Sequence, residues 1–111
     1  MEPVERVTRH FQEELEQLKT RLLEMGGLAE ENVRLAVKGL VERDRTLIDT
    51  VMSGDEPLNR LHVEIDNRCF TIFALHQPMA ADLRTVVAAV KINADLERVG
   101  DLAVNIAEAA R

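Results

Sequence analysis

The stretch from residue 11 to residue 40, FQEELEQLKTRLLEMGGLAEENVRLAVKGL, decides the fold. Its apolar residues recur at spacings of three and four, the period of one face of an α-helix. They are Phe11, Leu15, Leu18, Leu22, Met25, Ala29, Val33, Ala36 and Leu40. The period crosses Gly26-Gly27 nearly in phase, so we predict one helix of roughly 35 to 40 residues with at most a bend at the glycines. The alternative is two helices with a turn at the pair.

If the helix is continuous, the low helix propensity of the two glycines must be offset by a favourable contact. Each glycine in a helix interior costs about 1 kcal/mol relative to alanine. A close crossing with another helix would explain why glycines stand there, and we expect such a crossing at Gly26 and Gly27.

A second helical segment follows, with a predicted break near its start. Residues 45–52 read as a short helix that Gly54 stops, after which Asp55 caps a longer helix with Pro57 in its first turn. The longer helix ends at residues 76–78, HQP, because the residue before a proline avoids the helical region. Its apolar stripe consists of Leu58, Leu61, Ile65, Cys69, Ile72 and Leu75, widened by Phe70 and Phe73.

The third helix runs from about Met79 to Arg111, and its apolar face changes along its length. In the first half the face contains Leu83, Val86, Val87 and Val90, and in the second half Leu96, Val99, Ala103, Ile106 and Ala110 lie on nearly the opposite side. A helix with packing partners on two sides would show this pattern. One three-helix unit buries only one of those faces, so we expect the chain to self-associate as a homodimer or to pack against a second repeat.

With no strand alternation, we predict an all-α fold. The three long helices would form an antiparallel three-helix bundle of up-down-up, spectrin-like topology. At 111 residues the chain is predicted to be a single domain over residues 1–111.

Composition excludes several classes of function. Only 3% of the residues are aromatic and the formal net charge is −6, which disfavours nucleic-acid binding by base stacking or by phosphate contacts. The one cysteine, Cys69, rules out an internal disulfide and a thiol-rich zinc site. The sequence shows neither a signal peptide nor an apolar run long enough to span a membrane. We therefore expect a cytoplasmic protein with no direct membrane insertion.

The leading candidate site is the pair Glu97 and Asp101 in the string ADLERVGDLAVNIAE, residues 94–108. Four residues apart on a helix, their side chains lie one above the other. Two stacked carboxylates need a cation, a basic partner or water. As metal ligands they suit hard divalent ions or iron, with further ligands completing the shell. The alternative is a solvated acidic face with pairing to Arg98 or to another basic residue. A surface metal site requires neighbouring oxygens and exposure.

Other polar residues are weaker candidates. Asn105 lies beside the acidic pair on the same helix. Glu64 and Asp66 are two residues apart and cannot face the same way, so at most one could join a site with the third helix. His62 and Asp66 are four apart and are a possible ligand pair, although an exposed polar helix face is the favoured interpretation. Cys69 is expected to be a core residue.

Several short strings together carry a family resemblance over nearly the whole chain. They are MGGL at 25–28, GD at 54–55, EID at 64–66, QP at 77–78, ADLR at 81–84, KI at 91–92, DLERVGD at 95–101 and NI at 105–106. In this combination they resemble the PhoU family of phosphate-signalling regulators.

The resemblance implies an architecture and a role. Members carry a three-helix repeat, usually twice in one chain, whereas this sequence holds one. We therefore expect the N-terminal half of a longer protein, or a single repeat that pairs with itself. Members are regulators, not enzymes, and repress phosphate-starvation signalling by linking a phosphate ABC transporter ATPase to a membrane sensor histidine kinase.

The resemblance also implies a metal site. Some members hold multinuclear iron or zinc clusters on an acid-x-x-x-acid motif, which maps here onto Glu97 and Asp101, with Glu64, Asp66 and Asn105 as possible additions. Two other functions stay open. One is a carboxylate-bridged metalloenzyme, although the Glu-x-x-His motif of di-iron bundles does not occur here. The other is a purely structural, self-associating bundle.

Overall fold

The computed structural model describes residues 4–111, which form three long α-helices. Helix α1 spans Val4–Glu42, α2 spans Arg45–His76 and α3 spans Ala80–Ala110. Short links reverse the chain between them, so α2 runs antiparallel to α1 and α3. The bundle measures 60 × 20 × 15 Å, which is the length expected of a 39-residue helix that rises about 1.5 Å per residue. No strand occurs among the described residues, which confirms the all-α prediction.

Helix α1 is continuous through Gly26 and Gly27, as the periodicity predicts. The prediction of a close helix crossing at these glycines is wrong. A Cβ atom added at either glycine would meet nothing within 4 Å. The glycines therefore lie on open surface, and nothing in the described chain accounts for their cost in helix propensity.

Helix α2 is also continuous, so the break predicted at Gly54 is wrong. Its N-cap is Asp44, not Asp55. The Asp44 backbone is extended (φ −93°, ψ 105°), and its carboxylate accepts hydrogen bonds from the backbone N–H groups of Thr46 at 3.0 Å and Leu47 at 3.3 Å. These bonds satisfy two of the free donors of the first turn.

A contact with α1 explains why the helix passes Gly54 and Pro57. Pro57 lacks the N–H that would bond the carbonyl of Ser53, which weakens α2 at this turn. The side-chain amide of Asn32 in α1 donates to the Gly54 carbonyl at 3.3 Å. A Cβ atom at Gly54 would lie only 2.8 Å from Asn32 Oδ1. Gly54 therefore allows α1 to approach and bond the weakened turn, and it does not end the helix.

The link between α2 and α3 follows the prediction closely. Helix α2 ends at His76, and Gln77 adopts the left-handed conformation (φ 44°, ψ 61°) that commonly ends helices. Met79 is extended and α3 starts at Ala80, one residue after the predicted start.

Helix α3 presents a regular inward stripe that the sequence pattern conceals. Its buried residues are Val86, Ala89, Asn93, Gly100, Ala103 and Ala107. Of the two apolar faces predicted for α3, the bundle buries only one, as expected of a single three-helix unit: in the first half Val86 is buried, but Leu83, Val87 and Val90 are 38–40% exposed. In the second half Ala103 is buried and the other predicted residues are partly buried against the core, as expected.

Small residues on α3 let α2 approach closely. A Cβ atom at Gly100 would overlap Cδ2 of Leu58, which is fully buried. This contact sets the spacing of α2 and α3 close to Glu97.

No helix in the described part of the chain combines the length and apolarity needed to cross a membrane.

Candidate functional site

Glu97 lies on the surface between α3 and α2, where it is paired with a basic side chain. Its Oε2 atom is 2.5 Å from Nε2 of His62 in α2, and the two side chains are 36% and 22% exposed. Among the partners that the sequence left open for this carboxylate, the structure provides a histidine. Arg98 instead lies 3.5 Å from Asp95.

Asp66 and Asn93 extend this pair into a polar cluster across the two helices. Asp66 Oδ2 lies 3.6 Å from His62 Nε2. The amide nitrogen of Asn93, which is fully buried, donates to Asp66 Oδ1 and to the His62 carbonyl, both at 3.0 Å. Asn93 Oδ1 and His62 Nδ1 are buried without a hydrogen-bond partner in the described structure. The cluster of His62, Asp66, Asn93 and Glu97 therefore ties α2 to α3.

Asn93 is the member that sequence reasoning missed. It lies four residues after Ala89 and seven after Val86, at inward positions of the same stripe. That spacing alone would have placed a polar side chain in the core. A buried amide requires a hydrogen-bond partner, which Asp66 and His62 supply.

Asp101 and Asn105 continue the same side of α3 away from the cluster. They lie about one and two helical turns beyond Glu97, and both are exposed. Neither is hydrogen-bonded or ion-paired to another described side chain. The two carboxylates therefore have different surroundings: Asp101 faces water, and Glu97 faces His62.

Glu64 lies away from these residues, against α1. Its Oε2 atom accepts hydrogen bonds from Nε of Arg21 at 2.7 Å and Nε of Arg68 at 3.0 Å. The bond from Arg68 and the positive charge of Arg21 lower the pKa of the Glu64 carboxyl below its usual value, against the effect of desolvation. Arg68 also donates to Gln17 of α1 at 2.8 Å. Of the pair Glu64 and Asp66, only Asp66 joins the cluster at α3.

The described residues alone do not supply a complete set of donors for a metal ion or cluster. Within residues 4–111 no three His, Cys, Asp or Glu side chains are grouped so that they could hold a metal. The imidazole of His62 is already engaged with Glu97. Any metal held by Glu97 and Asp101 would need ligands from outside the described residues.

Cys69 belongs to the core, as expected, and is 2% exposed. Burial, with a smaller contribution from the negative charge of Asp66, raises the pKa of its thiol to about 11. The thiolate that nucleophilic chemistry requires is therefore scarce at neutral pH.

The chain is similar in sequence to known proteins over most of its length. The family model described as "PhoU domain" matches residues 22–110. The chain is 43% identical over 106 residues to the "Phosphate-specific transport system accessory protein PhoU homolog" of Caulobacter vibrioides, covering 96% of this chain and 46% of that protein. It is 39% identical over 104 residues to the "Phosphate-specific transport system accessory protein PhoU" of Serratia marcescens, covering 94% and 43%.

A solved structure gives the same result. The crystal structure of PhoU from Pseudomonas aeruginosa superposes with a TM-score of 0.88 at 41% identity, covering 90% of this chain and 48% of that one. The chain spans about half the length of the curated relatives it matches.

Proposed function

The chain belongs to the PhoU family, and we propose on that basis that it regulates phosphate uptake and phosphate-starvation signalling as part of an accessory protein. The observation that carries the proposal is the family match over residues 22–110, which includes the second half of α1 and all of α2 and α3. The relatives are named as accessory proteins of phosphate-specific transport, which supports a role without catalysis.

We propose that the protein acts as a cytoplasmic adaptor. It would hold the ATPase of a phosphate ABC transporter and a membrane sensor histidine kinase together, and so repress starvation signalling when phosphate is plentiful. A rod 60 Å long offers separate surfaces to two partners. Its net charge of −6 favours basic partner surfaces, because complementary charge speeds encounter and selects partners.

The carboxylates of α3 are the proposed contact with such a partner. Asp101 is exposed, and Glu97 is partly exposed at the edge of the cluster with His62. We also propose them as two of the ligands of a metal site in the whole protein, with the remaining ligands supplied by another repeat or another copy. The proposed regulatory role does not depend on that metal.

Self-association is a further part of the proposal. Apolar side chains that the three helices leave at the surface include Leu23, Leu83, Val87, Val90 and Ile92. Exposed apolar surface of this kind marks protein contacts. A second copy or a second repeat would cover it.

Binding to the ATPase tests the adaptor role. We expect purified full-length protein to bind the isolated transporter ATPase in the presence of EDTA, since the contact needs no metal. Glu97→Ala with Asp101→Ala should weaken binding about tenfold at low salt and less at high salt, where charges are screened. Titration monitored by fluorescence anisotropy measures the affinity.

The matched control removes two acidic charges from α1. Glu5 and Glu13 are exposed, have no ion pair among the described residues and lie near the end of the bundle remote from Glu97 and Asp101, so Glu5→Ala with Glu13→Ala should bind nearly as wild type. Equal affinity of all three proteins would remove Glu97 and Asp101 from the contact, and no binding by wild type to either the ATPase or the kinase would refute the adaptor.

A further inference from the structure

An apolar groove of about 690 Å³ runs between α1 and α3. Its lining consists of Lys19, Leu22, Leu23, Gly26, Gly27, Glu30, Ile92 and Leu96. Leu23 is 79% exposed and Ile92 is 46% exposed, so two large apolar side chains face water at the walls of the groove. A single exposed leucine would be unremarkable, but here two such residues flank a concave surface.

The floor of the groove includes the two glycines that the bundle itself does not need. Nothing lies within 4 Å of a Cβ atom built on Gly26 or Gly27. Glycine weakens a helix interior and is useful where another backbone or side chain must come close. The described residues supply no such neighbour, so a group that uses this space would have to come from outside them.

The charges at the ends of the groove indicate what approaches. Lys19 and Glu30 are eleven residues apart on α1, which is about three helical turns, so both lie on the face that carries Leu23 and Gly26. Along α1 the order is cation, leucine, glycine, anion. In an antiparallel pairing of two identical helices, Lys19 meets Glu30, and Leu23 meets Gly26, on both sides of a two-fold axis.

We propose that this groove binds α1 of a second copy of the same chain in antiparallel orientation. The proposal rests on the proposed self-association and names its surface. Leu23 of each copy fills the space over Gly26 of the other, and Ile92 with Leu96 forms the second wall of the groove. An isologous contact of this kind closes as a dimer, because the same patch serves both partners.

The charged residues are available for this pairing. Lys19 makes only an exposed contact with Glu16, with Nζ 3.4 Å from Oε1. Glu30 is exposed and has no ion pair among the described residues. The exposed apolar stripe of Leu83, Val87 and Val90 is also flanked by an anion and a cation, Asp82 and Lys91. At about 100° per residue these two charges lie on opposite sides of the stripe, so they would not meet across a two-fold axis, whereas Lys19 and Glu30 lie on the same side of Leu23. For this reason we assign the dimer to the α1–α3 groove.

Charge reversal tests the pairing. Lys19→Glu and Glu30→Lys should each weaken the dimer of this chain at least about tenfold, because like charges then meet twice across the two-fold axis. The double variant should regain wild-type association. An equimolar mixture of the two single variants should form a heterodimer, since each copy then meets opposite charges. Sedimentation equilibrium measures all four samples.

Two apolar substitutions provide a matched pair. Leu23→Glu should abolish association, whereas Phe70→Glu, at an equally exposed site on α2 (74%), should not. Gly26→Leu should also abolish association by filling the groove while keeping full helical circular dichroism, because the space around it is open in the monomer.

The possible results distinguish a failure of the proposed dimer surface from a failure of the proposed function. A wild-type chain that stays monomeric at high micromolar concentration would overturn both the dimer and this surface, and leave the adaptor role to the ATPase titration. A wild-type dimer that is insensitive to the charge reversals, or single variants that fail to associate when mixed, would overturn this surface alone.

Discussion

Gly100→Ala is expected to destabilise the protein by about 1–3 kcal/mol, the cost of overpacking a close-packed core. Alanine is the better helix former by about 1 kcal/mol, so propensity alone predicts the opposite sign. The added methyl group would overlap Leu58 Cδ2, and Leu58 is fully buried among core side chains that restrict its movement. To admit it, Leu58 must leave its rotamer within the packed core or the two helices must separate near Glu97.

A double-mutant cycle identifies this contact as the cause. Leu58→Ala alone should cost about 2–5 kcal/mol through the cavity it leaves. The double variant should lose less than the sum of the two, because the shorter side chain makes room for the new methyl group. Urea unfolding monitored by circular dichroism measures each free energy.

Gly26→Ala is the control for Gly100→Ala. It makes the same change in a helix interior where nothing lies within 4 Å, and should stabilise the monomer by up to about 1 kcal/mol. Equal effects at positions 26 and 100 would show that the close packing of Gly100 against Leu58 has no energetic consequence.

Asn93→Asp is expected to cost about 3–5 kcal/mol at neutral pH, the range for a buried charge without a partner. The substitution keeps the shape of the side chain. It replaces the amide that donates to Asp66 and to the His62 carbonyl by a carboxylate that repels Asp66. The position is fully buried, so water cannot compensate.

The loss should depend on pH in a defined direction. Burial and the charge of Asp66 would raise the pKa of the new carboxyl in the folded state above its unfolded value of about 3.9. The difference in stability between variant and wild type should therefore be smallest near pH 4 and grow as pH rises through the raised pKa. Asn105→Asp, on the exposed side of the same helix, should change stability by less than about 0.5 kcal/mol. A pH-independent difference at position 93 would contradict a buried carboxylate.

The long helices could be predicted because their apolar spacing repeats over many turns, whereas their interruptions could not. Gly54 has the local chemistry of a helix stop. In the structure, however, Asn32 of α1 donates a hydrogen bond to the Gly54 carbonyl, and this close contact is possible only because glycine has no Cβ atom. The inward stripe of α3 was hidden for a similar reason. Ala89, Asn93 and Gly100 face the core, while larger apolar residues beside them face water.

The candidate site could be predicted only in part, because its contacts depend on how two helices are aligned. The spacing of Glu97 and Asp101 places both on one side of α3, and this much is local. That Glu97 meets His62 depends on the register of α2 against α3, which Leu58, Gly100 and Asn93 determine. No pattern within either helix specifies that register.

The most direct test of the central claim, regulation of phosphate-starvation genes, is a phosphate-responsive reporter in cells that lack their own copy of the gene. We predict that the full-length wild-type gene restores repression at high phosphate. The Glu97→Ala, Asp101→Ala gene should leave the reporter active at equal protein level. Full repression by the double variant would contradict the role of this acidic surface, and a reporter that is repressed at high phosphate without any copy of the gene would contradict the regulatory function itself.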